Sequence, residues 1–389
     1  MAKGVEVRGN KIRVYFPWKG EKVRESLNIA DTPENRSYAE RMVEQIRHEI
    51  NAGTFDFARH FPDSPKLKED QLGSWIDTFL SIKTVRVSSS TYRGYKDKLE
   101  THVRPKFGKR QADSIDQVDV EHWISEDLNQ LASKTIKDIV ALLRQVYALY
   151  RTRHPAALDP TAGIKIQLPD KEDPDPFTRE EIDQILATEP HRDRPQEMNL
   201  TQFMIWTGPR VSEGIALAWE DVIDLEKGLI KFQRARVRGQ FKATKTKRST
   251  RVVELLEPAR QALQNQWERT GHLPATTIDV VARDNRTIKQ EKVRFIFLNS
   301  HTGQAHYDDF RFRDRFFKAH LEKAGVRYRG PGQCRHTFIS QMLTADMPIE
   351  WISKQAGTSV EMIRSRYGKW IEEDAPDTVA TAERRLGLI

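Results

Sequence analysis

Cysteine is all but missing from these 389 residues: Cys334 stands alone. One thiol makes neither an internal disulfide nor a cysteine-based zinc site, which fits a reducing compartment. Long apolar runs are missing too. No uncharged stretch approaches the ~18 residues a membrane helix needs, and Met1, Ala2, Lys3 and Gly4 lead into alternating residues with no apolar leader core or cleavage pattern. These absences predict a cytoplasmic protein, neither secreted nor membrane-spanning. Glycine (20 residues) and proline (18) are too few for a collagen-like or low-complexity chain, and a hydrophobic content of 38% supplies ordinary cores. The length calls for two or three domains.

Positive charge is what the chain has in surplus. Lysine plus arginine number 64 against 56 acids, a net charge of +8. Its distribution says more than its size. Between residues 231 and 251 lie Lys231, Arg234, Arg236, Arg238, Lys242, Lys245, Lys247, Arg248 and Arg251 with no acid among them. A segment so self-repelling fits an anionic partner, and a polyanion such as DNA is the expected one.

Along the chain the pattern changes three times. Ile12, Val14 and Phe16 alternate with polar neighbours after Gly9-Asn10, and another strand should follow Lys19-Gly20. A helix begins after Asp31 or Thr32 with Pro33 in its first turn, carries Ala39, Met42, Val43, Ile46 and Ile50, and stops at Gly53. Residues 1–62 thus read as a small three-stranded sheet plus helix, with Lys11 and Arg13 among its basic residues. Beyond Pro62 and Pro65, residues 66–168 read as a helical bundle. Its helices carry Leu72, Trp75, Ile76, Phe79 and Leu80, then Tyr92, Tyr95 and Leu99 up to about Pro105, then a stripe from Ile136 to Tyr150 capped by Ser133. Residues 169–177, rich in proline and acid, predict a stiff extended linker. Thr178 and Glu181 then have capping-box spacing and open a mixed domain over 178–389, with strands near 230–232, 252–255 and 294–297. The fold class expected is α+β, mainly helical.

Four motifs in the last domain carry chemistry. The first is Thr207-Gly208-Pro209-Arg210-Val211-Ser212-Glu213, where glycine and proline break one helix and the arginine starts another. The second is the basic turn from Thr244 to Arg251. The third is Cys334-Arg335-His336-Thr337-Phe338, and the fourth is Arg366-Tyr367-Gly368-Lys369. Singly, each matches an ordinary surface arrangement, such as an arginine paired to a glutamate three residues on.

Jointly, their order and spacing resemble the tyrosine recombinases, and phage integrases within them, over the whole chain: an arm-type DNA-binding sheet, a helical core-binding domain and a catalytic domain. The resemblance implies that Arg210 and Arg335 grip the nonbridging oxygens of a phosphodiester, which planar guanidinium forks do bidentately. It implies that Tyr367 attacks phosphorus to form a 3′-phosphotyrosine, and that Lys245 protonates the departing 5′ oxygen, with Lys247 and Arg248 close enough to compete for that role. Glu213 would orient Arg210. Arg234, Arg236, Arg238, Lys242, Lys247 and Arg248, with Lys11 and Arg13 on the sheet, become the DNA-binding candidates. The expected partners are double-stranded DNA at core and arm attachment sites, three further copies of the chain in a homotetramer, and a DNA-bending or directionality factor, in the nucleoid of a bacterial host. No cofactor or metal is implied; His301 and His306 read as turn or surface residues.

Two positions depart from the family. Where it usually has a histidine three residues before the second arginine, this chain has Gly332; where it has histidine or tryptophan ahead of the tyrosine, it has Thr358. Thr358 can still donate to a phosphate oxygen, and water, His336 or another group would have to replace the imidazole missing at Gly332. The expectation is slower chemistry that Gly332→His accelerates. A catalytically decayed architectural DNA binder and a type IB topoisomerase-like nickase or resolvase remain as alternatives. Leu386, Leu388 and Ile389 in the tail could pack on a neighbouring copy, so that deleting residues 372–389 weakens synapsis more than DNA binding.

Overall fold

The computed structural model describes residues 4–18, 20–62, 64–170, 172–190, 193–244 and 249–372, with 383 and 388 beyond them. The chain divides into two units, Met1–Pro169 and Asp170–Ile389. Among the described residues no helix is long and apolar enough to cross a membrane. The architecture is α+β and mainly helical, as the patterning indicates.

The first unit opens with the antiparallel sheet β1 (Val5–Arg8), β2 (Lys11–Trp18) and β3 (Glu21–Ala30). Alternation along β2 sends Ile12, Val14 and Phe16 inward, where they meet Ala39, Val43 and Ile46 of the helix Pro33–Asn51. Thr32 caps that helix, its hydroxyl accepting from the Asn35 amide at 3.2 Å. A second core belongs to the bundle. It joins Leu72, Trp75, Ile76 and Phe79 of Leu72–Thr84 to Ile136, Val140, Leu143, Val146 and Tyr147 of Ser133–Arg151.

Two bundle details differ from expectation. Pro105 does not end its helix: a π-turn over Leu99–Val103 loosens the hydrogen-bond spacing, the missing proline donor is tolerated, and the helix runs on to Phe107. Ser133 is the first helical residue rather than the cap. The Thr135 and Ile136 amides bond to the Ala132 carbonyl instead.

In the second unit the far end of the proline-rich segment is fastened to the domain that follows it. Asp175 pairs with Arg327 at 2.5 Å and Arg329 at 3.0 Å, and the amide of buried Phe177 donates to the Thr337 hydroxyl at 2.9 Å. The Thr178–Glu181 capping box then starts the helix Arg179–Ala187. Two small sheets follow. One orders β4 (Val222–Asp224), β5 (Leu229–Phe232) and β8 (Arg251–Glu254); the other orders β10 (Ile288–Val293), β9 (Thr276–Val281), β7 (Gln240–Ala243) and β6 (Arg234–Val237). The strand expected at 294–297 lies earlier, at β10, leaving Phe295 in a single bridge to Ala218. The basic run therefore crosses from one sheet to the other between β7 and β8. A core from Phe203, Met204, Phe232, Phe297 and Phe317 holds this unit, and a separate apolar cluster, Phe338, Ile339, Met342, Ile352, Ile363 and Tyr367, packs its last three helices.

Candidate active site

The first motif arginine owes its place to a turn that only glycine fits. The helix Pro195–Thr207 ends on Gly208 in the left-handed region (φ 63°), where a Cβ would lie 2.6 Å from the Phe338 ring. Arg210 follows as the residue that opens the short helix Val211–Gly214. Its Nη1 donates to Glu213 Oε1 at 2.9 Å and its amide to Oε2 at 3.1 Å, while about half of the side chain, 48%, stays exposed.

Glu213 also receives a second arginine that the motifs do not single out. Arg251, the buried first residue of β8, donates from Nη2 to Glu213 Oε2 at 3.1 Å, from Nε to the Gln355 carbonyl at 2.7 Å and from Nη1 to the Ser249 carbonyl at 3.0 Å. Its guanidinium lies 4.6 Å from the Phe232 ring centroid. Gly357 is left-handed as well (φ 67°), and a Cβ there would come within 2.8 Å of Arg251. Arg335 completes the group from the helix Gln333–Thr344. Its Nη1 donates to the Gly208 carbonyl at 2.9 Å and, closely, to the Ala356 carbonyl. Both backbone turns, 208–210 and 355–358, are thus held by arginine side chains.

Two guanidinium groups, of Arg210 and Arg251, bond one carboxylate, and the charge of a third, Arg335, also acts on it. Burial alone would raise the Glu213 carboxyl, but Arg251 and Arg210 outweigh it and hold it below its ordinary range. Arg335 is pushed down to about 10 by burial and by the Arg210 charge; burial likewise lowers Arg251. An excess of positive charge in a partly dry pocket is what a phosphodiester would neutralise.

Tyr367 sits beside this charge. The helix Val360–Glu372 breaks its own geometry at this residue (φ −125°, ψ 21°), and the side chain is 3% exposed in the last apolar cluster. Its Oη lies 2.6 Å from His336 Nδ1. Burial pushes the phenol up to about 12 although Arg335 and Arg366 pull the other way. His336 is pushed down to about 4 by burial and by the Arg366 and Arg335 charges, so its imidazole is neutral at pH 7. Thr358 stands half-buried on the turn that Arg335 and Arg251 hold; its amide donates to the Ser353 carbonyl at 3.2 Å. Gly332 is exposed, with no atom within 4 Å of where a Cβ would be. Lys245, Lys247 and Arg248 lie outside the described residues.

The other basic candidates separate. Arg234 is a correction: it is 4% exposed, pairs closely with Asp221 and at 2.6 Å with Glu291, and has no surface to offer DNA. Arg236 is half-buried over the Phe241 ring at 4.6 Å, so its guanidinium is already stacked. Arg238 is exposed on the β6–β7 turn in the left-handed region (φ 49°), and Lys242 is half-buried on β7. On the first unit's sheet, Lys11 is exposed with Nζ 3.2 Å from Asn28 Oδ1, and Arg13 reaches Glu6 at 3.5 Å. His306 is a second correction, being buried rather than on a turn surface and pushed down to about 4 by that burial; His301 is exposed. Among the described residues no three His, Cys, Asp or Glu side chains gather as a metal site.

Comparison with known proteins agrees with this geometry. A model of the phage integrase family matches residues 176–370. The chain belongs to that family. Two further models match its first unit, the Arm DNA-binding domain at 2–65 and the phage integrase N-terminal SAM-like domain at 71–127. The prophage integrase IntR of Escherichia coli (strain K12) is 28% identical over 98% of both chains. Among solved structures, a Tn1549 transposon integrase in complex with circular intermediate DNA aligns with 81% of this chain and 99% of its own, at a TM-score of 0.60 and 18% identity. A lambda integrase tetramer bound to a Holliday junction aligns over 92% and 96%, at a TM-score of 0.57 and 12% identity. These two carry the fold. The phage integrase is a site-specific DNA recombinase of the tyrosine type.

Proposed function

We propose that this integrase inserts the genome of a phage or other mobile element by cutting and rejoining DNA through a 3′-phosphotyrosine made by Tyr367. The observation that carries the reading is the buried phenol beside Arg335, within a group of three guanidiniums and one carboxylate. Arg210 and Arg335 hold the nonbridging oxygens as charge develops on them. The Tyr367 oxygen forms its bond to phosphorus and gives up its proton; the P–O5′ bond breaks, and the 5′ oxygen takes a proton from Lys245. Rejoining reverses each step, with a 5′ hydroxyl of the second strand as attacker. Glu213 positions Arg210, and Thr358 donates to a phosphate oxygen.

The same reading assigns an arm site to residues 1–62, in which Lys11 and Arg13 touch phosphates, a core site to residues 66–168 and catalysis to 178–389. Arg238, Lys242, Lys247 and Arg248 lie against the DNA. Four copies act on two duplexes with a DNA-bending or directionality factor, in the cytoplasm of a bacterial host. The names of the related structures, a DNA complex and a tetramer on a Holliday junction, support these partners.

The test is covalent trapping. Nicked duplexes tiled across the DNA that flanks this chain's gene lose a short fragment on cleavage, which leaves the adduct stranded. A protein–DNA band that survives denaturation, and is absent in Tyr367→Phe while DNA binding persists, is the expected result. Unchanged function in Tyr367→Phe would make the chain an architectural binder instead.

A further inference from the structure

The imidazole missing at Gly332 has a replacement one helical turn along. We infer that His336 is the catalytic base of cleavage, its Nδ1 taking the Tyr367 proton as the phenol oxygen bonds to phosphorus. This rests on the recombinase reading above and adds to it the group that receives the proton. Four observations support it.

Contact is the first. Oη and Nδ1 are 2.6 Å apart, within the span a proton crosses in a transition state, and the imidazole touches the reacting atom itself. The pairing is also the product of a backbone distortion. Tyr367 leaves helical geometry in the middle of Val360–Glu372, and its ring comes to lie tilted over that of His336, with centroids 5.7 Å apart.

The second is protonation. Burial, with the charges of Arg366 on the last helix and Arg335 on the same helix, keeps the imidazole uncharged near neutrality, so Nδ1 can accept. A base with so low a value cannot ionise the resting phenol. It takes the proton only as the bond to phosphorus forms, and an arriving phosphodiester offsets the same arginine charges that hold it down.

The third is the empty alternative. Gly332 is exposed and carries no side chain, so nothing at that position can receive the proton. The fourth is balance. The proton that leaves Oη rests on Nδ1 during the covalent stage, while the 5′ oxygen draws its own from Lys245. In rejoining, the imidazolium returns its proton to Oη as the phosphotyrosine bond breaks. No other reactant is needed.

The decisive variant is His336→Asn, whose amide oxygen can accept a hydrogen bond near the Nδ1 position but cannot take the proton away. Nicked duplexes from the gene's flanks serve as probe, in ordinary form and with sulfur in place of the bridging 5′ oxygen. A thiolate leaves without a proton donor, so sulfur relieves defects on the leaving side alone. His336→Asn is expected to bind the duplex and unfold like wild type, to cleave about 10²–10⁴ times more slowly, and to stay slow on the sulfur substrate. Adding Gly332→His to it should recover part of the rate, because the space there is open.

Cleavage by His336→Asn within threefold of wild type, or full rescue by sulfur, would overturn the assignment. Gly332→His alone gives a second reading should the asparagine variant not fold. With His336 as base, the acceleration that the sequence alone suggests for this variant is not expected: the wild-type rate should change by less than threefold, and an acceleration above tenfold would show that Tyr367 lacks a base. If wild type itself forms no adduct on any duplex, the recombinase chemistry fails and not merely the role of His336.

Discussion

Two arginines in the same unit, Arg234 and Arg335, teach opposite lessons. Arg234 faces Asp221 and Glu291, one guanidinium against two carboxylates, on the edge strand of a sheet. Arg335 stands with Arg210 and Arg251 against Glu213 alone. The carboxylates register the difference. Asp221 is raised, first by burial and further by Glu291, although Arg234 opposes both; Glu213, equally buried, is lowered. A compensated arginine is part of the scaffold. An uncompensated group of them is a site still waiting for its anion, and the phosphodiester supplies it.

That contrast breaks most visibly if the two arginines are exchanged in effect. Arg234→Met strands a buried carboxylate and should cost about 3–5 kcal/mol of stability, with the cleavage rate per folded molecule unchanged. Arg335→Ala should do the reverse. Removing a donor aimed at developing charge slows cleavage about 10²–10³-fold, while relief of its repulsion with Arg210 and Arg251 offsets the loss of its bonds to the Gly208 and Ala356 carbonyls, so that the unfolding midpoint moves less than in Arg234→Met. Urea unfolding and single-turnover cleavage on both variants separate the two outcomes. A stable, slow Arg234→Met would refute the division.

A smaller effect sharpens it through pH. Glu213 has a folded value below its unfolded one, so its contribution is present above about pH 4.3 and is lost as pH falls through the lower folded value. Asp221 has a folded value above its unfolded one. Its contribution is present below about pH 3.9 and is lost as pH rises through the raised value. Glu213→Gln should therefore flatten the acid loss of stability. Asp221→Asn should compare better with wild type as pH rises from about 4. Urea midpoints between pH 3 and 7 measure both, and slopes of the same sign would remove the electrostatic distinction.

The contrast also marks where the sequence stops being readable. Local periodicity is enough for the inward face of β2, for the helix at Leu72 and for the Thr178–Glu181 cap, because each is decided within a few residues. Order and spacing of motifs were enough for the family. Arg234 looks like its neighbours in a basic run because its partners come from 13 and 57 residues away. Strands β9 and β10 escape notice because their exposed sides, with Thr277, Asp279, Lys289 and Gln290, leave few apolar positions to alternate. Arg251 is found only through Glu213, 38 residues before it, and His336 meets Tyr367, 31 residues on, only because the last helix departs from its own geometry. Charge compensation and backbone distortion are tertiary facts.

The faintest form of the same comparison lies in the first unit, where charges are neither buried nor crowded. Lys11 is exposed and, among the described residues, reaches the neutral Asn28, whereas Arg13 already has Glu6 at 3.5 Å. If both face the phosphates of an arm site, each contact releases condensed counterions, and the slope of log affinity against log salt changes by about 0.9 per contact. Lys11→Ala should remove nearly the whole of that increment. Arg13→Ala should remove less, since a guanidinium already held by Glu6 makes a weaker phosphate contact and displaces fewer counterions. Titrating the full chain onto arm-site duplex between 50 and 200 mM salt reads both slopes. An unchanged slope in Lys11→Ala would take that lysine off the DNA, and the larger change in Arg13→Ala would mean that its pairing with Glu6 opens when DNA binds.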